Sequence, residues 1–321
     1  VAQTETPTDA VLQAKAVALA KANAAVVGLR SVAVDDAVSI RSLGRQRQGS
    51  GVVIDDDGLV LTIGYLILEA ESVELQLEGG RVYPARVVAY DQASGFGLVQ
   101  SLVPLPAPSV PFGSASALAP DTPLMIASGG PEGDLSLARL LSRRPFSGYW
   151  EYHLDEALFT APPRRDHPGA ALFNADGELL GVGSLVVADA RGPGFPPYPG
   201  NMFVPIDLLK PILRELREQG SSRQSHRPWI GLNCVERGDG IRVMRVAEDS
   251  PADLAGLQPG DQIVAVDGTA VAGLEAFYKA LWQGSTPERE VRIDIRRDGK
   301  VQTMRVQATD RQNSLRRARG I

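Results

Sequence analysis

The sequence holds a single cysteine, Cys234, and that alone excludes an intrachain disulfide. Its three histidines, His153, His167 and His226, are scattered rather than spaced as ligands. With one cysteine beside them no zinc-ligand spacing exists, so neither a metal nor a cofactor is expected. No apolar run approaches the roughly 18 residues that a bilayer span requires, and no membrane span is expected. Positive charge is not in excess either. Lys and Arg number 33 against 38 Asp and Glu, a formal net charge of −5, which leaves no basic face for nucleic acid. The one basic run, Arg316, Arg317 and Arg319, sits in a short tail and reads as solvated.

What is present is glycine (33 residues), proline (23) and short apolar runs in a chain of 321 residues, enough for two or three domains. Hydrophobic residues at 44% and charged residues at 22% are the balance of a chain that buries a core. The chain opens at Val1 without Met and continues Gln3-Thr4-Glu5-Thr6-Pro7. A mature exported protein opens in this way once its signal peptide is gone, though a sequence trimmed for expression opens alike. Residues 1–25 contain an alanine-rich segment, Asp9 to about Val27, that reads as a helix leading into the first strand.

From Val26 to about Val204 short Val, Ile and Leu runs alternate with turn signals. Val52-Val53-Ile54, Asp57-Gly58 and Leu59 to Thr62 predict a β-hairpin. Val73 to Leu77, Gly79-Gly80 and Val82 to Ala89 predict a second, and Leu172 to Asn174, Ala175-Asp176-Gly177 and Leu179 to Val182 a third. This rhythm predicts an all-β barrel or sandwich. It breaks at residues 206–219, where Leu208, Leu209, Ile212, Leu213 and Leu216 recur at helical spacing, with Asp207 as the expected cap and Gly220 as the stop. Residues 220–227 are polar and aperiodic, a linker. A smaller α+β module follows at 228–310, with strands at Ile241–Val246, Gln262–Val266 and Val291–Ile295 and a helix at Leu274–Leu281; residues 311–321 read as a tail.

Residues 248–268 read EDSPADLAGLQPGDQIVAVDG. Ser250-Pro251 starts a short helix, Gly256 ends it, and Ile263, Val264 and Val266 form a buried strand closed by Asp267-Gly268. This segment closely resembles a PDZ domain. Such domains add a peptide as a strand beside one edge. The resemblance implies that Trp229-Ile230-Gly231-Leu232 is the loop whose N–H groups hold the peptide carboxylate, with Gly231 permitting close approach. It implies that the helix carrying Leu274, Phe277, Tyr278 and Leu281 is the opposite wall. The lesser alternative is that Trp229 and Ile230 are core residues of a domain that has lost its ligand. Cys234, on the next strand, reads as a small buried hydrophobe.

Gly49-Ser50-Gly51-Val52-Val53-Ile54, Asp57-Gly58 and Leu61-Thr62 resemble the opening of the HtrA (Deg) family of serine proteases. The resemblance covers about residues 20–310 in the family's domain order. It implies a mainly β chain: a trypsin-like double β-barrel (26–219) followed by an α+β PDZ domain. It also puts Tyr65 where the family has its histidine base, Gly95 at the aspartate and Pro168 at the serine. Asp166-His167-Pro168-Gly169-Ala170-Ala171-Leu172-Phe173-Asn174 and the following Asp176-Gly177 keep the register of the nucleophile motif. The serine of a triad attacks, the histidine takes its proton and the aspartate orients the imidazole. Tyr65 is a poor base at neutral pH, Gly95 orients nothing, and Pro168 has neither a hydroxyl nor a backbone N–H for the oxyanion hole. Asp166 and His167 as a substitute pair have no nucleophile beside them.

The expected function is therefore that of a non-catalytic scaffold, chaperone-like binder or regulator in the periplasm, reading protein C-termini or extended peptides. Two alternatives stand beside it: an accessory subunit of a larger envelope complex, with the groove empty or filled internally, for instance by the apolar terminus Gly320-Ile321; and residual endopeptidase activity. The family implies a trimer, and the alanine-rich helix either supports one or docks on a stable partner. The segment Asp189–Gly200, with four prolines, Phe195 and Tyr198, reads as stiff and extended, either a partner-binding element or plug over the cleft, or a drifted surface loop.

Overall fold

Alanine propensity rather than an apolar stripe makes the first helix, α1 (Asp9–Ala24), in which Ala22 is the buried residue. A computed structural model describes residues 9–116, 118–284 and 286–316. The Gln3–Pro7 stretch, Arg317, Arg319 and the terminus Gly320-Ile321 lie outside the described residues. The chain separates into two compact units, the first running to Arg144 and then Glu156–Ser221 with Arg316, the second made of Pro145–Asp155 and Ser222–Leu315.

In the first unit the valine- and leucine-rich runs form two closed antiparallel barrels. One comprises β1 (Val26–Ala33), β2 (Gln46–Val53), β3 (Leu59–Ile63), β4 (Ala70–Gln76), β5 (Val82–Tyr90) and β6 (Phe96–Ser101), in the order β1-β2-β3-β6-β5-β4; the one-turn α2 (Ile40–Leu43) precedes β2. The other comprises β7 (Pro123–Ala127), β8 (Leu135–Gly148), β9 (Tyr152–Ala161), β10 (Ala171–Phe173), β11 (Leu179–Val187) and β12 (Gly200–Pro205), in the order β10-β11-β12-β9-β8-β7. Every residue of β3 and of β12 is buried. Leu124, Ile126, Leu158, Leu172, Leu180 and Phe203 fill the second barrel; each such side chain contributes roughly 1.5–3 kcal/mol by burial. The register of β11 against β12 shifts between Gly183 and Leu185, so Ser184 is a bulge residue outside the ladder.

The three hairpins expected from Asp57-Gly58, Gly79-Gly80 and Asp176-Gly177 are present as β2–β3, β4–β5 and β10–β11. Three expectations need correction. Residues 206–219 are not one helix: a 3-10 turn (Ile206–Leu208) leads to α3 (Leu213–Gln219), because Pro211 cannot supply a helical N–H. Asp207 is not a cap, since its carboxylate accepts from the Ala115 N–H at 2.7 Å and from Lys210 at 2.7 Å. Gly220 does stop the helix, in the left-handed conformation. The segment Asp189–Gly200 is not stiff and extended. Gly192 and Gly194 at positive φ turn it back, so that Ala190 N–H reaches the Tyr198 carbonyl at 2.8 Å and Arg191 lies over the Tyr198 ring.

In the second unit a pair, β13 (Pro228–Trp229) with β20 (Thr309–Asp310), accompanies a sheet ordered β14 (Leu232–Arg237), β15 (Gly240–Val246), β16 (Gln262–Val266), β18 (Glu290–Arg297) and β19 (Lys300–Gln307), with β17 (Thr269–Ala270) against β16. Helix α4 (Pro251–Leu254) starts as its sequence predicts, with Ser250 accepting from the Asp253 N–H and proline at the first position. Helix α5 (Leu274–Leu281) turns Leu274, Phe277, Tyr278 and Leu281 into the core. Of the expected linker, Ser222 and Ser225 are buried around a 3-10 turn.

Candidate functional site

The glycines of β2 bring its backbone against the loop that carries Pro168. Ser50 N–H donates to the Pro168 carbonyl at 2.8 Å. A Cβ on Gly49 would stand 2.5 Å from that carbonyl oxygen and 2.6 Å from Leu66, and one on Gly169 (φ 74°) would stand 1.9 Å from the Ser50 oxygen. Glycine is therefore required on both sides of this contact. Tyr65 lies in the 3-10 turn that follows β3, beside Gly64, whose N–H donates to the Gly95 carbonyl at 2.7 Å. The positions held by Tyr65, Gly95 and Pro168 thus meet around the start of that turn and β2.

Their polar groups face inward. The Tyr65 hydroxyl donates to the Ser184 carbonyl at 2.6 Å, the carbonyl that the bulge in β11 leaves outside the ladder. Burial pushes the Tyr65 phenol above its ordinary value, further from service as a base. Gly95 is a left-handed turn residue bonded to the Asp91 carbonyl at 2.7 Å; the Asp91 carboxylate, fully buried, accepts from the backbone and hydroxyl of Ser94.

Asp166 and His167 do not pair with each other. Arg164 holds Asp166 from two nitrogens, at 2.8 and 2.5 Å, and Ser128 donates to the same carboxylate. The Arg164 contact keeps the Asp166 carboxyl below its ordinary value. Nδ1 of half-buried His167 lies 2.9 Å from the Arg164 carbonyl, which places its proton there, and burial lowers its pKa. Arg164 also reaches Ile126 O and Ser136 Oγ, so it ties the loop to β7 and β8. One further cluster, His153, Asp155 and Glu275, has ligand atoms close enough to share an ion. The Lys279 ammonium already bridges Asp155 at 2.9 Å and Glu275 at 2.7 Å, which suits a charge pair better than a metal centre.

The expected carboxylate loop is built in the second unit. Gly231 has φ 86°, and a Cβ on it would lie 2.3 Å from the Ser250 side chain. This turn points three successive N–H groups at one spot, and the spot is filled. Ile230 N–H donates to Oε2 of Glu151 at 3.2 Å, while Gly231 and Leu232 N–H donate to Oε1 at 2.7 and 2.8 Å. Ile230, Leu232, Leu274, Phe277, Tyr278 and Leu281 are core residues, with Trp229 half-buried at the edge. Tyr278 alone of the expected helix wall turns a polar group to the site, its hydroxyl donating to the Gly148 carbonyl at 2.7 Å. Cys234 is buried as expected, and its thiol is held neutral by burial. Sequence reasoning missed Glu151. Its signal is that it is the sole acid between Asp134 and Asp155, set among Tyr149, Trp150 and Tyr152.

A trypsin-like peptidase domain model matches residues 49–182, and a PDZ domain model matches residues 228–308. HhoA of Synechocystis sp. is 28% identical over 297 residues, which cover 83% of this chain and 71% of that protein. Do-like 14 of Arabidopsis thaliana is 30% identical over 258 residues, 70% of this chain and 57% of that one. The periplasmic serine endoprotease DegP of Escherichia coli is 27% identical over 270 residues, 78% and 55% respectively. The chain thus spans 55–71% of the length of these three relatives. Among solved structures, the HtrA-type protease AlgW with a decapeptide matches with a TM-score of 0.56 at 18% identity, over 92% of this chain and 98% of that one. The serine endoprotease from Yersinia pestis matches with 0.55 at 23%, over 95% and 99%. With a trypsin-like double barrel, a PDZ domain and relatives of this kind matched across both, the chain belongs to the HtrA (Deg) family.

Proposed function

We propose that this chain is a non-catalytic member of its family that binds protein in the periplasm, reading C-termini or extended peptides through its PDZ domain. The observation that carries the reading is Pro168. It stands at the nucleophile position with its carbonyl bonded to Ser50 of β2, so that neither a hydroxyl nor an N–H faces a substrate. Tyr65 and Gly95 support the same conclusion, the first with its hydroxyl given to Ser184 and the second with no side chain at all. Loss of one oxyanion donor alone costs about 2.7–4 kcal/mol of transition-state stabilisation. The periplasmic assignment rests on relatives that are named as periplasmic.

The test pairs hydrolysis with binding. Casein should be left intact by the wild-type chain and by Pro168→Ser. Cleavage by the wild-type chain that a serine-directed fluorophosphonate blocks would overturn the reading. A peptide with a free carboxylate should bind, and its C-terminal amide should not. A second reading, a structural accessory subunit of an envelope complex, is favoured by the filling of the carboxylate loop from within the chain. A partner that copurifies at fixed ratio and survives Gly231→Glu would support that one instead.

A further inference from the structure

We propose that Glu151 is a built-in ligand of the PDZ domain, its side-chain carboxylate filling the nest of Ile230, Gly231 and Leu232 N–H groups where a peptide's terminal carboxylate would sit. An outside chain then enters only by displacing the turn Tyr149–Glu151. This deepens the peptide-binding reading above and, in its second half, rests on it.

The contact has the form of an added strand as well as an anion site. β14 is the edge strand of its sheet. Leu232 N–H takes the Glu151 carboxylate, and two residues on, Cys234 N–H donates to the Tyr149 carbonyl at 2.9 Å. Alternate N–H groups of one edge are thus used in antiparallel sense, which is how an extended peptide adds to a sheet. From the other side, the Tyr278 hydroxyl of α5 donates to the Gly148 carbonyl and accepts from the Glu151 N–H at 3.3 Å. One hydroxyl therefore meets both an acceptor and a donor of the turn. The turn lies between the edge strand and α5, the helix that the sequence assigned to the peptide groove as its opposite wall.

The turn is shaped to present this acid. β8 ends at Gly148 and β9 begins at Tyr152, and the three residues between them close with Glu151 at φ 56°. Three-residue hairpin loops favour glycine at such a left-handed position, so a glutamate there costs backbone energy. The cost is offset by its side chain, which is 2% exposed and engaged with all three donors. A buried carboxylate without such donors would be expelled. Burial still raises its pKa, with the three N–H groups and Arg311 acting in the opposite direction.

The tether makes the turn a strong competitor. A ligand held within the same unit acts at an effective concentration of about a millimolar. A turn with an intrinsic constant of about 1–10 μM would then weaken any competing peptide about a hundredfold to a thousandfold. The experiment uses the full chain as wild type, Glu151→Ala and Glu151→Gln, the glutamine keeping the volume, with far-UV circular dichroism and melting to establish that each is folded. Two readouts are taken: amide hydrogen exchange at residues 230–232, and anisotropy of a fluorescein-labelled decapeptide ending Ala-Leu-Val with a free carboxylate. The expected result is exchange at least tenfold faster in the variants and peptide binding at least tenfold tighter. Unchanged exchange in folded variants would overturn the proposal. Faster exchange with equal peptide affinity in all three forms would overturn it too, since the peptide would then enter without displacing Glu151. Faster exchange with no binding by any form would uphold Glu151 as the resident ligand and bring down the peptide-reading function instead.

Discussion

The family's two functional regions are both satisfied from within, and in different ways. Around Pro168, where we propose that no triad remains, the groups present are bonded into the barrels: Tyr65 to Ser184, Pro168 to Ser50, Asp166 to Arg164. At the Gly231 turn every N–H group is still in place, and a side chain of the same chain covers them. On the proposed reading the first region is closed by substitution, which no conformational change reverses. The second is closed by occupancy, which displacement does reverse. The proposed binding function is therefore to be tested at the second.

The largest effects that separate the regions come from their glycines. Gly169→Ala drives a Cβ to 1.9 Å from a backbone oxygen, and Gly231→Ala drives one to 2.3 Å from the Ser250 side chain, both at positive φ. Each should cost on the order of 3–5 kcal/mol. Trp150, Trp229 and Trp282 all belong to the second unit, so tryptophan fluorescence in urea reports that unit alone. Gly231→Ala should shift that transition and Gly169→Ala should leave it in place while lowering the far-UV circular dichroism midpoint. A shift of the tryptophan transition by Gly169→Ala would break the comparison. In the Pro168 region a single substitution, Pro168→Ser, should on the proposed reading yield no measurable casein hydrolysis, because Tyr65 and Gly95 supply neither a base nor an orienting carboxylate.

The two tyrosines give a smaller and more selective contrast. Tyr65→Phe removes a hydrogen bond to a bulge carbonyl and should cost about 1–2 kcal/mol of stability in the first unit. Tyr278→Phe removes two bonds from the Glu151 turn and should cost a similar amount. It should also speed amide exchange at residues 230–232, which Tyr65→Phe should not. Equal exchange rates in both variants would mean that the tyrosine on α5 does not hold the turn.

How far the sequence disclosed this arrangement depends on what kind of group carries it. The hairpins were legible because Asp57-Gly58, Gly79-Gly80 and Asp176-Gly177 are local turn chemistry between apolar runs. Helix α4 was legible because Ser250 and Pro251 cap it within their own turn. Strand β19 was not, since Val306 is its sole fully buried residue and no alternation marks it. Asp207 read as a cap because its distant partner, the Ala115 N–H, has no local signature. Glu151 was hidden for the same reason at longer range. It stands about 80 residues from the Gly231 turn. The donors are backbone N–H groups, which any acid can satisfy, so they leave no complementary residue type to look for. Tyr65, Gly95 and Pro168 were visible by position, but where Tyr65 sends its hydroxyl depended on a bulge at Ser184 that only the fold reveals.

The smallest expected effect concerns pH, and it separates the regions by sign. Asp166 is held below its ordinary value by the Arg164 hydrogen bond. Its contribution to stability is present above the unfolded value of about 3.9 and is lost as pH falls through the folded value. Glu151 is raised by burial, so its contribution is present below the unfolded value of about 4.3 and is lost as pH rises through the folded one. The groups that act on it are the Arg311 cation, which favours the carboxylate, and Cys234 and Tyr278, both held neutral by burial. Relative to the wild-type chain, Asp166→Asn should therefore lose stability as pH rises from 3 to 5. Glu151→Gln should gain it over the range above 4. Urea midpoints measured across pH 3–8 would read both slopes. Slopes of the same sign would mean that the three N–H donors outweigh burial at Glu151, and the turn would then be held more tightly at neutral pH than its burial alone allows.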